Sequence, residues 1–294
     1  MARWGDVLTA MVTPFAADGA LDVDAAVELA RWLSDNGSSG LVVAGTTGEG
    51  TTLTDEEKRE LFRTLAESVT VPIVAGSGTN DTRHSIDLTR MAEECGVDAV
   101  LAVTPYYNRP SQAGLESHFR AVAGATTLPV VLYDIPVRTG RKIAHDVLVR
   151  LAREVPNIVA VKDAALDVSA SARLSAALDD TDFEIYSGND DQTLPLLAIG
   201  AVGVVGVATH WCGNEMAEMI AAFQKGDVGT ARRINARLLE SYDFESSEAA
   251  PNPVPAKAMM RVTGHAVGEC RLPMGPTPAG LEDRAREVLA GLRG

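Results

Sequence analysis

Short runs of apolar, mostly β-branched residues recur along the chain, and each run ends in small or polar residues. Continuous apolar runs of this kind are typical of parallel strands covered on both faces, whereas strict alternation marks strands with one solvated face. Eight such runs occur, and each predicts a strand. They span residues 7–14, 39–49, 71–78, 98–107, 128–136, 157–164, 183–190 and 202–209.

Helical patterns fill the intervals between these runs. Thr54 and Glu57 have the spacing of a capping box, which indicates that a helix begins there. Gly37 and Gly96 follow two further helical patterns at the position of a C-terminal cap. Strands and helices that alternate with short connections form right-handed βαβ units, and eight such units close into a barrel. The sequence therefore predicts an α/β fold, a (β/α)8 TIM barrel, rather than an open dinucleotide-binding sheet, whose G-x-G-x-x-G motif is absent.

The predicted barrel accounts for residues 1–224, and the pattern changes after it. Residues 225–294 carry helical patterns such as "TARRINARLLESY" and "GLEDRAREVLAGL". The segment "APNPVPAK" at 250–257 predicts a proline-rich hinge that leads into one of these helices. We therefore expect a catalytic barrel with an appended C-terminal helical region.

The charge of the chain limits its partners. There are 26 basic and 40 acidic residues, a formal net charge of −14, which disfavours binding to nucleic acid or to an anionic membrane. Neither a signal-peptide pattern nor a membrane-length apolar run is found. The three cysteines, Cys95, Cys212 and Cys270, lie far apart, which fits a reducing compartment. We expect a cytoplasmic protein, and we expect no metal because no ligand spacing occurs among the histidines and cysteines.

Polar side chains follow the predicted strands at the point where each strand ends. The catalytic groups of a (β/α)8 barrel lie at the C-terminal ends of its strands, so the fold would bring these scattered residues into one ring. The ring would contain Thr46, Thr47, Tyr106, Tyr107, Tyr133, Lys162 and Gly188.

Lys162 is the strongest candidate in this ring because it ends the apolar run "IVAVKDA". A buried amine is costly unless it is paired or neutral. One interpretation is structural, namely a lysine that reaches solvent or pairs with Asp163. The other is chemical, since a desolvated lysine has a lowered pKa and can attack a carbonyl to form a Schiff base. We favour the chemical interpretation because hydroxyl groups surround the position and because the other four lysines lie in polar or helical surroundings.

The hydroxyls and the arginine of the ring each allow two interpretations. Single buried tyrosines usually fill a core, but Tyr106, Tyr107 and Tyr133 together predict a relay that protonates the oxygen lost on imine formation. The threonines at 46 and 47 either cap a turn or bind a carboxylate. Arg138, in the loop after the fifth strand, is either a solvated surface residue or a guanidinium that binds a second carboxylate through two hydrogen bonds.

Six motifs occur in order along nearly the whole chain: "GTTGEG", "VTPYYNRPSQAGLESHF", "YDIPVRTG", "VKDA", "SGND" and "NPVPAK". In these motifs the sequence resembles the pyruvate-dependent class I aldolases, the family of dihydrodipicolinate synthase and N-acetylneuraminate lyase. Arg138 favours the synthase branch, since the lyase branch has no arginine at the matching position. The resemblance implies condensation of pyruvate with aspartate semialdehyde in a homotetramer. It also implies that no cofactor is needed other than pyruvate bound covalently as a Schiff base.

The resemblance also implies a role for each residue. Lys162 forms the imine, Tyr133 sits over it, and Thr46 and Tyr107 complete the proton relay, with Tyr107 reaching in from a neighbouring subunit. Thr47 binds the pyruvate carboxylate, and Arg138 binds the carboxylate of the semialdehyde. Backbone groups near Gly188 and Val205 line the pocket.

The sequence departs from this family at positions that bear on regulation. Members inhibited by L-lysine hold its ammonium with a glutamate where this chain has His84, and they carry histidines where it has Asp55 and Lys58. We therefore expect weak or absent lysine inhibition. Asp134 also stands where asparagine is common, which removes no catalytic group.

Two other functions remain open. One is a pyruvate-releasing aldolase that cleaves a sugar acid such as N-acetylneuraminate or a 2-keto-3-deoxy acid, for which Arg138 would matter less. The other is a non-catalytic paralogue that binds a keto acid, since one barrel fold hosts many functions. Retention of the whole proton relay argues against a mere binder.

Overall fold

The eight predicted strands all form, and they close into one parallel barrel in chain order. The computed structural model describes residues 2–293. Each strand is shorter than the apolar run that predicted it, so most of the polar residues at the run ends lie in loops. The strands are β1 Val7–Ala10, β2 Gly40–Val43, β3 Ile73–Gly76, β4 Ala99–Val103, β5 Val130–Asp134, β6 Ile158–Asp163, β7 Glu184–Ser187 and β8 Gly203–Gly206, with β8 paired to β1.

Helices follow the strands as predicted. Thr54 and Glu57 form the predicted reciprocal capping box, and Gly37 and Gly96 adopt left-handed backbone conformations just after their helices, with φ of 99° and 82°. The helices are α1 Val23–Asp35, α2 Asp55–Ser68, α3 Thr82–Glu94, α4 Gln112–Ala123, α5 Pro136–Thr139, α6 His145–Glu154, α7 Val168–Ala177, α8 Thr193–Leu197, α9 Thr209–Gln224, α10 Val228–Phe244, α11 Val254–Val262 and α12 Leu281–Arg293.

The apolar core has two layers because successive strand side chains point to opposite faces. The outer layer packs the strands against the helices, and the inner layer fills the barrel. On β6, Val161 belongs to the outer layer and Ala160 to the inner one, as does Ala164 directly after the strand. Lys162 lies between these two alanines on the same face, so the alternation directs its side chain into the barrel.

The elements of the barrel end with α9, and the chain that follows forms α10, α11 and α12. This confirms a TIM barrel with a C-terminal helical region. Helix α10 packs on α9, and α12 packs on α10 and α11. In residues 2–293, the helices are too short or too polar for any of them to cross a bilayer.

Candidate active site

Lys162 and Tyr133 are neighbours across strands β5 and β6. The two residues are paired in register, and the Lys162 Nζ atom lies 4.5 Å from the centroid of the Tyr133 ring. Tyr186 of β7 continues the same row on the other side of Lys162. All three side chains are at most 4% exposed. The predicted nucleophile and the predicted proton donor are therefore held together inside the end of the barrel.

The predicted structural alternative for Lys162, an ion pair with Asp163, is not formed. Asp163 points to the opposite face of β6, where its carboxylate accepts hydrogen bonds from the Ser171 hydroxyl at 2.6 Å and the Ala165 amide at 3.0 Å. Within residues 2–293, no carboxylate lies within ion-pair distance of Lys162. Its amine is thus buried without an ion-pair partner, which leaves it available as a nucleophile.

A cavity of about 390 Å³ opens at the C-terminal ends of the strands. Of the eight predicted site residues, it is lined by Thr46, Tyr133 and Arg138. Tyr106 and Asn252 also line it. The structure therefore brings a hydroxyl from a turn, a phenol from a strand and a guanidinium from a short helix to one concave surface.

The turn after β2 places its two threonines differently. The Thr46 carbonyl accepts the Glu49 amide at 3.1 Å, which closes the turn and leaves the Thr46 side chain facing the cavity. Thr47 is buried, and its hydroxyl oxygen accepts a hydrogen bond from the Asn252 side chain at 3.0 Å. Thr47 is thus held by the C-terminal region.

Gly188 and Val205 lie outside the cavity lining. The Gly188 amide donates to the Asp163 carbonyl at 2.7 Å, and a Cβ atom at this position would lie only 2.7 Å from the Cβ atom of Ala164. Glycine is required there by this close approach of β6 and the loop after β7. Val205 is buried in the inner layer of the barrel, paired with Leu8.

The two tyrosines after β4 separate. Tyr106 is half-buried in the cavity wall, and burial raises the pKa of its phenol. Tyr107 is 90% exposed, and its φ of 71° is unusual for a bulky residue. Within one chain, therefore, Tyr107 does not join the cavity.

Arg138 lies in a short helix rather than in the loop that the sequence predicted. Helix α5 begins with Pro136, which favours a first helical turn, and ends at Gly140 in a left-handed conformation. The helix turns Arg138 toward the cavity, where its Nη2 atom donates to the Asn252 carbonyl at 3.3 Å.

Comparison with known proteins agrees with this geometry. Residues 3–290 match the family model described as the dihydrodipicolinate synthetase family. The chain belongs to this family. The 4-hydroxy-tetrahydrodipicolinate synthase of Acidothermus cellulolyticus is 52% identical, over 99% of this chain and 91% of that protein, and the enzyme of Bacillus subtilis is 46% identical, over 93% and 94%.

Solved structures of the same family have the same fold. A dihydrodipicolinate synthase from Bacillus anthracis superposes with a TM-score of 0.93 at 45% identity, covering 99% of both chains. That of Cyanidioschyzon merolae, crystallised with lysine bound, gives a TM-score of 0.94 at 41% identity, covering 99% of this chain and 98% of the other. The likeness extends over the C-terminal helices as well as the barrel.

Sequence reasoning missed a second set of residues in this member of the dihydrodipicolinate synthetase family. The sequence suggested that Lys162 was the one lysine in apolar surroundings. Lys58 and Lys257 are buried as well. Lys257 forms an ion pair of 2.7 Å with Glu49, and Asn252 contacts Thr47. The signal that could have found them was the motif "NPVPAK", whose polar residues lie within an otherwise apolar and proline-rich segment.

A pair of buried carboxyl groups was also missed. Asp190 follows β7 and accepts the Val207 amide at 2.8 Å, and the carboxyl group of Glu245, just after α10, is buried near it. Burial raises the pKa of both carboxyls, while the charge of Lys162 acts against this rise at Asp190. Two buried carboxyl groups therefore lie near the candidate nucleophile.

Proposed function

We propose that the chain condenses pyruvate with L-aspartate 4-semialdehyde to form 4-hydroxy-tetrahydrodipicolinate, as a lyase of the diaminopimelate and lysine pathway. The observation that carries the proposal is the buried amine of Lys162 beside the Tyr133 ring, without a carboxylate partner. The cavity next to this pair holds Arg138, a donor for a second carboxylate. The names of the relatives support the same reaction.

The first step joins pyruvate to the protein. The Lys162 amine attacks the keto carbon of pyruvate, and the resulting carbinolamine loses its oxygen as water to leave an imine. This loss requires a proton on the departing oxygen. Tyr133 supplies it from beside the amine, and Thr46 and Tyr107 return the proton to Tyr133. No cofactor is needed, because the protonated imine itself draws electrons from the neighbouring methyl carbon.

The second step forms the carbon–carbon bond. Loss of a methyl proton converts the imine into an enamine, whose terminal carbon attacks the aldehyde carbon of the semialdehyde. The aldehyde oxygen takes up a proton. The amino group of the second substrate then replaces the Lys162 amine at the former keto carbon, which closes the ring and frees the enzyme.

Both substrates carry carboxylates, and a chain of net charge −14 needs local donors to hold them. The Thr47 hydroxyl holds the pyruvate carboxylate, and the Arg138 fork holds that of the semialdehyde. The family resemblance also assigns backbone groups near Gly188 and Val205 to the pocket around the first substrate, although both residues lie outside the cavity lining. These roles rest on the family resemblance and, for Arg138, also on its position in the cavity wall.

The setting of the enzyme is part of the proposal. We place it in the cytoplasm as a homotetramer, with residues 1–224 as the catalytic barrel and 225–294 as a helical region available for subunit contacts. The exposure of Tyr107 supports an assembly in which this residue reaches the site of a neighbouring subunit. Nucleic acid and membranes are not expected among its partners, because the chain is strongly acidic.

Reductive trapping tests the proposal. The chain is treated with borohydride in the presence of pyruvate and then of pyruvate with the semialdehyde, and the adduct is located by mass spectrometry. We expect a pyruvate adduct on Lys162, none in Lys162→Ala, and pyruvate consumption only with the semialdehyde. Lys225→Ala, at an exposed lysine, is the matched control and retains the adduct.

Two results would contradict the proposal. An adduct without semialdehyde-dependent turnover would favour cleavage of a sugar acid, in which Arg138→Ala would cost little. The complete absence of an adduct would make Lys162 structural.

A further inference from the structure

Asn252 connects the two residues that are proposed to bind the substrate carboxylates. Its side-chain Nδ2 donates to the Thr47 hydroxyl oxygen at 3.0 Å, and its backbone carbonyl accepts from Arg138 at 3.3 Å. Asn252 is buried and lines the cavity. The residue lies in the C-terminal region, outside the barrel, so this region reaches into the site.

The bond to Thr47 determines how the hydroxyl can be used. A hydroxyl has one proton and two lone pairs. One lone pair of Thr47 Oγ1 receives the Asn252 N–H group, and no other hydrogen bond to this hydroxyl occurs within residues 2–293. The hydroxyl proton is therefore left to donate to a bound molecule. The carboxylate of pyruvate can only accept.

We propose that Asn252 is a positioning residue that fixes the Thr47 hydroxyl as a donor to the carboxylate of pyruvate. This inference rests on the proposed function, because it assumes that Thr47 binds this carboxylate. It assigns to the C-terminal region a part in the choice of the first substrate. Asn252 need not touch the reacting atoms.

The second polar atom of the side chain indicates that the amide has a role beyond packing. Asn252 Oδ1 is buried and has no hydrogen-bond partner in the described part of the chain. Buried polar atoms are nearly always satisfied, so an unsatisfied acceptor in a cavity wall marks a place for a donor such as water, and not for the substrate carboxylate itself. A residue that only packed would have no reason to present an amide there.

The two contacts of Asn252 can be separated by mutation. Asn252→Ala removes the bond to Thr47 but leaves the backbone carbonyl that Arg138 contacts. Asn252→Asp keeps the shape, reverses the hydrogen bond by accepting the Thr47 proton, and adds a negative charge near the anion. Ser247→Ala is the matched control in the same segment, where the hydroxyl only accepts the Ala250 amide.

The experiment measures the pyruvate concentration that gives half-maximal borohydride trapping on Lys162, without semialdehyde. We expect this concentration to rise about tenfold in Asn252→Ala, the loss of about one hydrogen bond, and further in Asn252→Asp. Ser247→Ala should leave it unchanged. In steady-state assays the KM for the semialdehyde should change less than twofold, because the contact to Arg138 is kept.

Unchanged half-saturation in folded Asn252→Ala and Asn252→Asp would overturn the inference, and so would an equal rise in the KM of both substrates. If Asn252→Asp does not fold, a double-mutant cycle decides. In a Thr47→Val background, Asn252→Ala should add little, and a full additional tenfold loss would contradict the proposal. If pyruvate is trapped but no condensation occurs, the proposed function is refuted. The role of Asn252 in pyruvate binding can still be judged, because the trapping experiment does not need the semialdehyde.

Discussion

The ammonium of Lys257 lies 2.7 Å from the carboxylate of Glu49, and neither side chain reaches solvent. Glu49 lies in the turn after β2, two residues beyond Thr47, and it also accepts the Arg271 amide at 2.8 Å. Lys257 lies on α11 and donates to the Glu269 carbonyl at 3.0 Å. This ion pair therefore fastens the threonine turn of the candidate site to the C-terminal region.

Breaking this pair should destabilise the protein strongly. Lys257→Met leaves Glu49 buried without its partner, which costs about 3 kcal/mol or more and lowers Tm by roughly 6–12 °C. Replacing both charges in Glu49→Gln/Lys257→Met should cost less than the sum of the single changes, since no lone charge remains. Thermal unfolding monitored by circular dichroism measures each loss.

The control is the exposed pair of Arg286 and Asp283, which lies on α12. Arg286→Ala should change Tm very little, because exposed pairs contribute up to about 1 kcal/mol. Additive losses in the Glu49/Lys257 double variant would show that the two side chains act independently.

The barrel could be predicted because its signals are local. Each strand lies within one continuous apolar run of the sequence, and the capping box of Thr54 and Glu57 lies within four consecutive residues. The inward direction of Lys162 follows from alternation along β6 alone. These features depend on few contacts between distant parts of the chain.

The rest of the site depends on such distant contacts. Glu49 and Lys257 lie at opposite ends of the sequence, and Lys257 occurs in a helical pattern that does not distinguish a buried lysine from a solvated one. Arg138 was expected in a loop because a four-residue helix is too short for a periodic pattern. For Tyr107 the motif predicted a role, but not the exposure of its side chain.

Asp134 should make stability depend on pH in a defined direction. It is buried at the end of β5, and burial raises the pKa of its carboxyl from 3.8 to about 6, although Lys142 at 3.2 Å opposes the rise. The folded chain thus holds this proton more tightly than the unfolded chain. The contribution of Asp134 to stability is therefore complete below about pH 4 and falls as the pH rises through 6. Above that pH the free energy of unfolding is lower by up to about 3 kcal/mol.

Asp134→Asn isolates this contribution. The amide oxygen can still accept the Ile143 amide, as Oδ1 does now at 3.2 Å, but the side chain no longer titrates. We expect the free energy of unfolding, measured by urea denaturation between pH 5 and 7, to fall less with pH in the variant than in the natural chain. Identical slopes for the two proteins would contradict the assignment.

The wall of the cavity on the side of α2 and α3 should not bind L-lysine. Lys58, His84 and Asp55 line it, and the His84 ring lies 3.0 Å from the Asp55 carboxylate. The Lys58 side chain is buried there, and burial lowers the pKa of its amine. The ammonium of free lysine would meet these basic groups and a carboxylate that His84 already contacts.

We therefore expect that millimolar L-lysine lowers the initial rate less than about twofold, because its affinity is much weaker than that of a regulatory ligand. Initial rates at fixed substrate measure it. As a matched test, His84→Glu/Lys58→Ala supplies a carboxylate and removes a cation, so lysine should bind this variant more tightly in calorimetry. A sub-millimolar inhibition constant for the natural chain would refute the expectation.

Tyr107 should act in the active site of a neighbouring subunit. Its phenol is 90% exposed in one chain, whereas Lys162 and Tyr133 are buried in the barrel. Tyr107→Phe and Lys162→Ala should each be nearly inactive, with losses of about 100-fold or more from the missing proton relay or nucleophile. In a mixed pair, however, the Lys162 of one subunit would meet the Tyr107 of the other and form one complete site.

Co-expression of the two variants with different tags, followed by purification through both tags, tests this directly. If subunits assort at random within two-fold pairs, about a quarter of the natural activity should return before the tag purification, and about half in the purified mixed pairs, in which one site of two is complete. Hybrids of Tyr133→Phe with Lys162→Ala are the control and should regain nothing, because these two residues belong to the same chain's site. Hybrids that stay as inactive as their parents would place Tyr107 in its own subunit's site or outside the reaction.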